Sequence, residues 1–335
     1  MQIPGTVYAG SPAAPTLDPT NEWSAANNRL AFSGMALRNS EIIVAASGGH
    51  SDYSGNEVTA ISIDVDAPTW TLLKAGSIPT MDVAYYSDGT PTSRHTYWSP
   101  QWSAVRNRVM LHYTRYSYGN AVSFPASNGF SLDANAWDHA GTWSNGYSAL
   151  CQDSSGNCWA SSGYFTLMKW TAATDTWAAT ATFSDAVYPN LAFDSLHNQL
   201  FQLSWGNGEG SGSGVTAFTY NASGTIQTAI SFNASAAYTR FVADAPLLAA
   251  MDYDPDNDRY LFYDGRGSRA GRIYVITPNS GTTWDMSIMM LGSGSVTPSD
   301  VAGAGVLNRF RYVPALKGFV LLARATTNLL FIRTS

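Results

Sequence analysis

The chain alternates short apolar runs with polar turns and shows almost no helical periodicity. Six runs share one form, a polar turn leading into a short apolar strand. They are NSEIIVAAS (39–47), RNRVMLHY (106–113), SGNCWASS (155–162), HNQLFQLS (197–204), NDRYLFYD (257–264) and LKGFVLLA (316–323). Measured between Ile43, Val109, Cys158, Leu200, Leu261 and Val320, the copies recur every 42 to 66 residues. Recurrence on that scale predicts a repeat architecture of small sheets. The strands are too many, and the helical signal too weak, for a barrel of alternating strands and helices.

A second signal runs in phase with the first. Thr-Trp or its equivalent closes several units, at Trp70, Trp177 and Trp284, with Asn135-Ala-Trp137 as a degenerate copy. A flat indole near the start of an outer strand fills the wedge between two twisted sheets. Repeated four-stranded sheets that bury their faces against both neighbours make a β-propeller. The expected fold is therefore all-β, a six-bladed propeller with a seven-bladed ring as the alternative. Residues 1–20 would form an arm and 21–335 a single domain. The last unit offers only three strands, FRYVP, GFVLLA and NLLFIR, which leaves an open edge. The N-terminal segment is expected to close it, through GTVYA (5–9) or the region around Trp23.

The stretch SGGHSDYSGNEV (47–58) resembles the kelch repeat, carried by Gly48, Gly49, Tyr53 and Trp70. Glycines suit such a turn because the chain bends sharply beside a neighbouring backbone, often at positive φ. Later units keep the turn-and-strand pattern and lose the double glycine. The segment NRFRYVPALKGFV (308–320) is similar to propellers of the kelch and galactose oxidase type, and the resemblance spans roughly residues 20–335. It implies a fold and leaves function open, since propellers host many functions.

Composition narrows the classes. Charged residues make up 13% of the chain, with three lysines against fifteen arginines, while aromatics also reach 13%. That charge share is about half the usual one, so Ser, Thr, Asn and Gly must cover the surface, as in proteins that work outside a cytoplasm. A net charge of −6 and a pI near 5.2 argue against nucleic acid as partner. No apolar run reaches membrane-span length. The N-terminus has neither the basic start nor the apolar core of a secretory signal. That conflict points to a virion protein released by lysis, or to a secreted chain whose signal has been replaced. Cys151 and Cys158 flank a DSSG turn, which would set them across a hairpin, either as a disulfide or as two small apolar residues.

Candidate chemistry is thin. Copper chemistry of the galactose oxidase kind implies a Tyr–Cys cross-link with two histidines, which two cysteines in one hairpin and five scattered histidines do not supply. TPNSGTTW (277–284) is similar to a sialidase Asp-box with Asn279 in place of aspartate, but one copy reads as a turn. That family's site needs three arginines, a Tyr/Glu pair and an acid near the N-terminus, whereas glutamates are few here (Glu22, Glu41, Glu57 and Glu209) and there is no Phe-Arg-Ile-Pro-like start. A polysaccharide lyase needs a base, an acid and a cation for the uronate carboxylate. Ser93-Arg-His-Thr-Tyr97 carries these types, with His95 and Tyr97 on one strand face. His50 would approach from the preceding unit, and Arg309 or Arg311 from the last. The bland reading makes Arg-His-x-Tyr an inner-strand motif bonded between blades. Asp252, Asp254, Asp256 and Asp258 alternate as calcium ligands would, although the sequence lacks an EF-hand loop. Tyr113, Tyr116 and Tyr118 in HYTRYSYG suit stacking on sugar rings. The reading that follows is a non-enzymatic interaction module, a virion component meeting virion proteins or host glycans, with no cofactor. A secreted lyase is the alternative.

Overall fold

The computed structural model describes residues 1–7, 29–49, 53–112, 115–117, 119, 126–142, 149–162, 166–182, 187–205, 214–246, 248–291 and 305–334. Strands β1 (Ala36–Arg38), β2 (Glu41–Ala45), β3 (Val58–Ser62) and β4 (Thr71–Lys74) form a first antiparallel meander. A two-stranded ribbon, β5 (Arg94–His95) with β8 (Arg115–Ser117), accompanies the second meander. That second sheet holds β6 (Pro100–Ser103), β7 (Arg108–Leu111), β9 (Ala126–Ser131) and β10 (Ala136–Thr142). The third comprises β11 (Leu150–Gln152), β12 (Cys158–Ser162), β13 (Thr166–Thr171) and β14 (Thr176–Thr182).

Two further meanders follow, β15 (Val187–Asp194), β16 (Gln199–Trp205), β17 (Val215–Asn221) and β18 (Gln227–Phe232), then β19 (Ala250–Asp254), β20 (Arg259–Tyr263), β21 (Arg272–Thr277) and β22 (Thr283–Met290). A short parallel pairing of β18 with β22 joins them edge to edge. The chain ends in β23 (Phe310–Val313), β24 (Gly318–Leu321) and β25 (Leu330–Arg333).

Every recurrent apolar run folds as the second strand of its sheet: β2, β7, β12, β16, β20 and β24. The polar turn before each has a common cause. One residue takes the left-handed conformation: Asn39 (φ 55°), Asn107 (51°), Asn198 (52°) and Asp258 (49°), with Gly156 and Lys317 in the remaining two. Asn and Asp tolerate it because their short polar side chains bond the local backbone.

First strands pack on first strands: β15 lies against β11 and β19, β19 against β23, and β1 against β6. The sheets therefore radiate from a shared axis, and core clusters fill the wedges between them. Ile43 and Val58 meet Val109 and Phe130, Phe201 and Leu203 meet Phe262 and Trp284, and Leu261 and Tyr263 meet Phe310 and Phe319. Trp70, Ile42 and Val44 pack on Val313, Val320 and Leu322, which brings the first sheet against the last. Each such apolar side chain contributes about 1.5–3 kcal/mol by leaving water.

The open edge of β25 is met by the N-terminal segment: Met1–Ile3 pair with it, and Thr6 of GTVYA adds its N–H to Asn328 Oδ1 at 3.0 Å and accepts from the Leu329 N–H at 2.8 Å. Gln2 bridges Leu330, the Met1 nitrogen donates to the Phe331 carbonyl at 2.8 Å, and the Ile3 N–H to that of Leu329 at 2.9 Å. The region around Trp23 lies outside the described residues. Cys151 and Cys158 are free and buried. Cys151 pairs with Trp159 and Cys158 with Gln152, so the thiols point to opposite sheet faces and no hairpin disulfide forms. Among the described residues one α-helix departs from the all-strand expectation, α1 (Ala236–Asp244), capped by Ser235, whose hydroxyl accepts from the Tyr238 N–H. Only Phe241 of its residues is fully buried, between Phe262 and Tyr274. One apolar anchor is too little for a periodic signal.

Candidate functional site

Because the strands alternate in direction, the starts of the first strands and the ends of the second strands share one face. Connections on that face are long: 45 to 58, 74 to 100, 111 to 126, 232 to 250 and 290 to 310. Those on the opposite face are tight, as at 38 to 41, 103 to 108, 194 to 199 and 254 to 259. Long connections on a rigid scaffold are where binding residues concentrate. His95, Tyr97 and Arg309 all precede first strands on this face. His50, Tyr113 and Tyr118 lie outside the described residues, and Tyr116 falls in β8.

His95 and Tyr97 do meet. The imidazole stacks on Phe32 at 4.3 Å between ring centroids and stands edge-on to Tyr97, with Nδ1 3.4 Å from the phenol oxygen. Both side chains are buried, at 4% and 2% exposure, so the pair sits within the protein rather than in a cleft. Arg94 beside them donates to the carbonyls of Thr92 and Ala84 and to Asn128, and burial pulls its pKa down to about 10. Arg309 is fully buried, and its guanidinium donates to the carbonyls of Gly305, Val306 and Ala323. Desolvation lowers its pKa to about 9.

Arg311 behaves differently. It reaches a small recess of about 40 Å³ on the axis, with Trp98, Asn190, Phe193 and Asp252 among the lining residues. Its Nε donates to Asp252 Oδ2 at 2.9 Å, and the Tyr312 N–H reaches the same oxygen. Asn190, in β15, is 1% exposed, and neither of its amide atoms has a hydrogen-bond partner among the described residues. The other aspartates of the run disperse. Asp254 binds Arg259 at 3.0 Å, Asp256 accepts from the Tyr312 hydroxyl at 2.7 Å, and Asp258 from the Tyr253 hydroxyl at 2.6 Å. The four carboxylates expected to hold calcium thus go to four separate partners.

No family model matches the chain, and no curated protein matches it in sequence. Among solved structures, that of YjhT superposes over 92% of this chain and 97% of its own, with a TM-score of 0.58 at 10% identity. The fold is a β-propeller. A chain in the crystal structure of a mitotic checkpoint complex aligns at a TM-score of 0.46 and 10% identity, covering 94% of this chain and 92% of that one. That likeness is too loose to carry an argument.

In the propeller the kelch-like stretch does structural work. Gly48 and Gly49 turn at φ 90° and 73°, and Gly49 forms a two-way backbone bridge with Tyr53. Beneath this turn lies a polar cluster that sequence inspection passes over. The Tyr53 hydroxyl donates to Glu57 Oε1 at 2.7 Å, and the Arg29 guanidinium lies over the Tyr53 ring. Desolvation raises the Glu57 pKa to about 7, against smaller lowering effects of Tyr53, its own backbone and Arg29. Folded Glu57 therefore holds its proton more tightly than unfolded Glu57, whose ordinary value is 4.5. Its contribution is fully present below about pH 4.5 and is lost as pH rises through about 7. Urea unfolding followed from pH 4.5 to 8 should lose up to roughly 3 kcal/mol on this account, and Glu57→Gln should flatten that part of the profile.

A second feature lies on the tight-turn face, between β18 and the 278–282 turn. It is an open groove of about 470 Å³ lined by His197, Gln199, Thr228, Asn279 and Trp284. The TPNSGTTW turn forms one wall, with Asn279 donating to the Thr283 carbonyl and the Trp284 indole to that of Gly281. His197 Nδ1 is 2.7 Å from buried Asp194 Oδ2, which also accepts from Gln199 and Tyr260. The Asp194 hydrogen bond raises the His197 pKa. Among the described residues Asp194, His197 and Asp258 are the only three clustered metal-ligating groups, but protein donors already occupy Asp194. Nothing in DSLHN distinguishes this dyad from an ordinary turn in the sequence.

Proposed function

We propose that the protein is a non-enzymatic interaction module, a virion component such as a tail fibre, spike or capsid decoration that contacts virion proteins or host-surface glycans. One observation carries the reading: of the groups suited to eliminative chemistry, His95, Tyr97 and Arg309 are spent inside the protein. His95 is wedged between Phe32 and Tyr97, and Arg309 is consumed by three carbonyls. A lyase base has to reach a substrate proton, and an imidazole 4% exposed does not. The charge-poor, aromatic composition and the long connections gathered on one face support a contact surface outside the cytoplasm. We further infer six blades, with Met1–Ile3 supplying the outer strand of the last; this rests on six second strands and on the pairing of Gln2 with Leu330.

The test pairs two assays. On a panel of glycans the protein should bind without releasing ultraviolet-absorbing unsaturated uronides. His95→Ala should leave that baseline unchanged and lower stability by about 1–3 kcal/mol, through lost packing and an unpaired partner. Uronide release that disappears in His95→Ala, with the fold intact, would establish the lyase instead. Mass spectrometry of purified virions from the producing cells checks the location, and absence of the chain from particles sinks that part.

A further inference from the structure

We propose that the axial recess is a saccharide subsite that takes a vicinal diol edge, held by Asn190, Asp252 and Arg311. This rests on the glycan-binding reading above and names the part of the sugar recognised. Asn190 is the starting observation. A buried amide costs about 1–3 kcal/mol for each group left unpaired, and here both amide atoms lack a partner among the described residues while the residue lines a cavity. Such a group is held in reserve for something polar that enters.

The donor set decides what enters. Asn190 offers one donor group and one acceptor. Among the described residues Arg311 bonds only through Nε, to Asp252, so its terminal nitrogens face the recess, where the side chain is 18% exposed. Asp252 is an acceptor, with Oδ1 taking the Tyr253 N–H and Oδ2 taking Arg311 and the Tyr312 N–H. Arg311 and Asp252 cancel in charge. A carboxylate would meet the Arg311 donors but press its lone pairs against Asn190 Oδ1 and Asp252. Hydroxyls both donate and accept, so two neighbouring hydroxyls can satisfy the amide, the guanidinium and the carboxylate together.

Size agrees with that choice. Space of about 40 Å³ admits one to a few water-sized groups, enough for two hydroxyls and too little for a whole ring. The ring must stay outside the recess, and Phe193, a lining residue that is only partly buried, offers it an apolar face.

The experiment uses saturation-transfer NMR and calorimetry on the full chain. The probes are the methyl pyranosides of glucose, mannose and galactose, their single-deoxy analogues, and glucuronate. At least one neutral pyranoside should bind, and removing either hydroxyl of one adjacent pair should weaken it about tenfold. Asn190→Ala should weaken it similarly without lowering thermal stability. The deoxy series acts on the unmodified protein, so it decides even where the variant folds poorly. Glycans that bind with a flat deoxy series and no response to Asn190→Ala overturn this subsite while leaving the glycan reading intact. Failure of every glycan on the panel removes that reading, and this one with it. Glucuronate binding more tightly than its neutral counterpart overturns the diol in favour of a carboxylate. A crystal soaked in the sugar that shows only water at Asn190 overturns the proposal as well.

Discussion

Asn308→Ala should lower the unfolding free energy by about 3–5 kcal/mol, with the slope against denaturant unchanged. Asn308 is 5% exposed and serves three backbone groups at once. Its Oδ1 accepts from the Met35 N–H at 2.8 Å, and its Nδ2 donates to the carbonyls of Trp98 and Pro100 at 3.1 and 2.9 Å. Those partners lie 273, 210 and 208 residues away in the chain, so one amide ties the entry to the last sheet to the entries of the first two. Alanine would take this amide from the Met35 N–H and the Pro100 carbonyl, while the Trp98 carbonyl would keep only Gln101 Nε2 at 3.2 Å. Gly34 shows how tightly the clasp is drawn, since a Cβ there would lie 1.7 Å from Asn308 Oδ1. Urea denaturation is the measurement, and a loss below about 1 kcal/mol would mean that water replaces the amide readily.

Gly49→Ala should cost at least about 3 kcal/mol, well beyond the strain of its backbone conformation. At φ 73° an L side chain is already disfavoured, by about 1–2 kcal/mol. A Cβ at that position also meets the Arg94 backbone, 2.2 Å from Cα and 2.6 Å from C. Backbone cannot rotate aside as a side chain can, so β5 must move, and with it the stacking of His95 on Phe32. Gly89→Ala provides the control. Its φ of 79° is equally left-handed, but nothing lies within 4 Å of the added carbon. That variant should lose only the conformational term. Equal losses in the two variants, measured by denaturant unfolding, would show that the approach to Arg94 is not what requires glycine at position 49.

The local devices of this fold could be read from residue order. Asn39, Asn107, Asn198 and Asp258 announce their turns because only a few residue types accept a left-handed backbone there. The apolar run after each turn then has to be a buried strand, and Trp70 and Trp284 mark the wedges that their rings fill. Gly48 and Gly49 were likewise legible as a close approach. What residue order could not show is which polar groups the assembled ring would surround. Arg309 and Arg311 are two residues apart and look alike in sequence. One is walled in by three carbonyls, while the other reaches the axis. Asn190 reads as an ordinary polar position in VYPNLAFD, and Glu57 as an ordinary carboxylate, until their neighbours from distant sheets are in place. That Met1–Ile3 pair with the last strand, with Thr6 of the expected segment bonding Asn328 and Leu329 beside it, was hidden for the same reason, since the register is set against a strand more than 300 residues away. Turn chemistry depends on one or two residues and their backbone angles, so it survives in the linear chain. Burial, pairing and pKa depend on every sheet that converges on a point, so only the tertiary structure decides them.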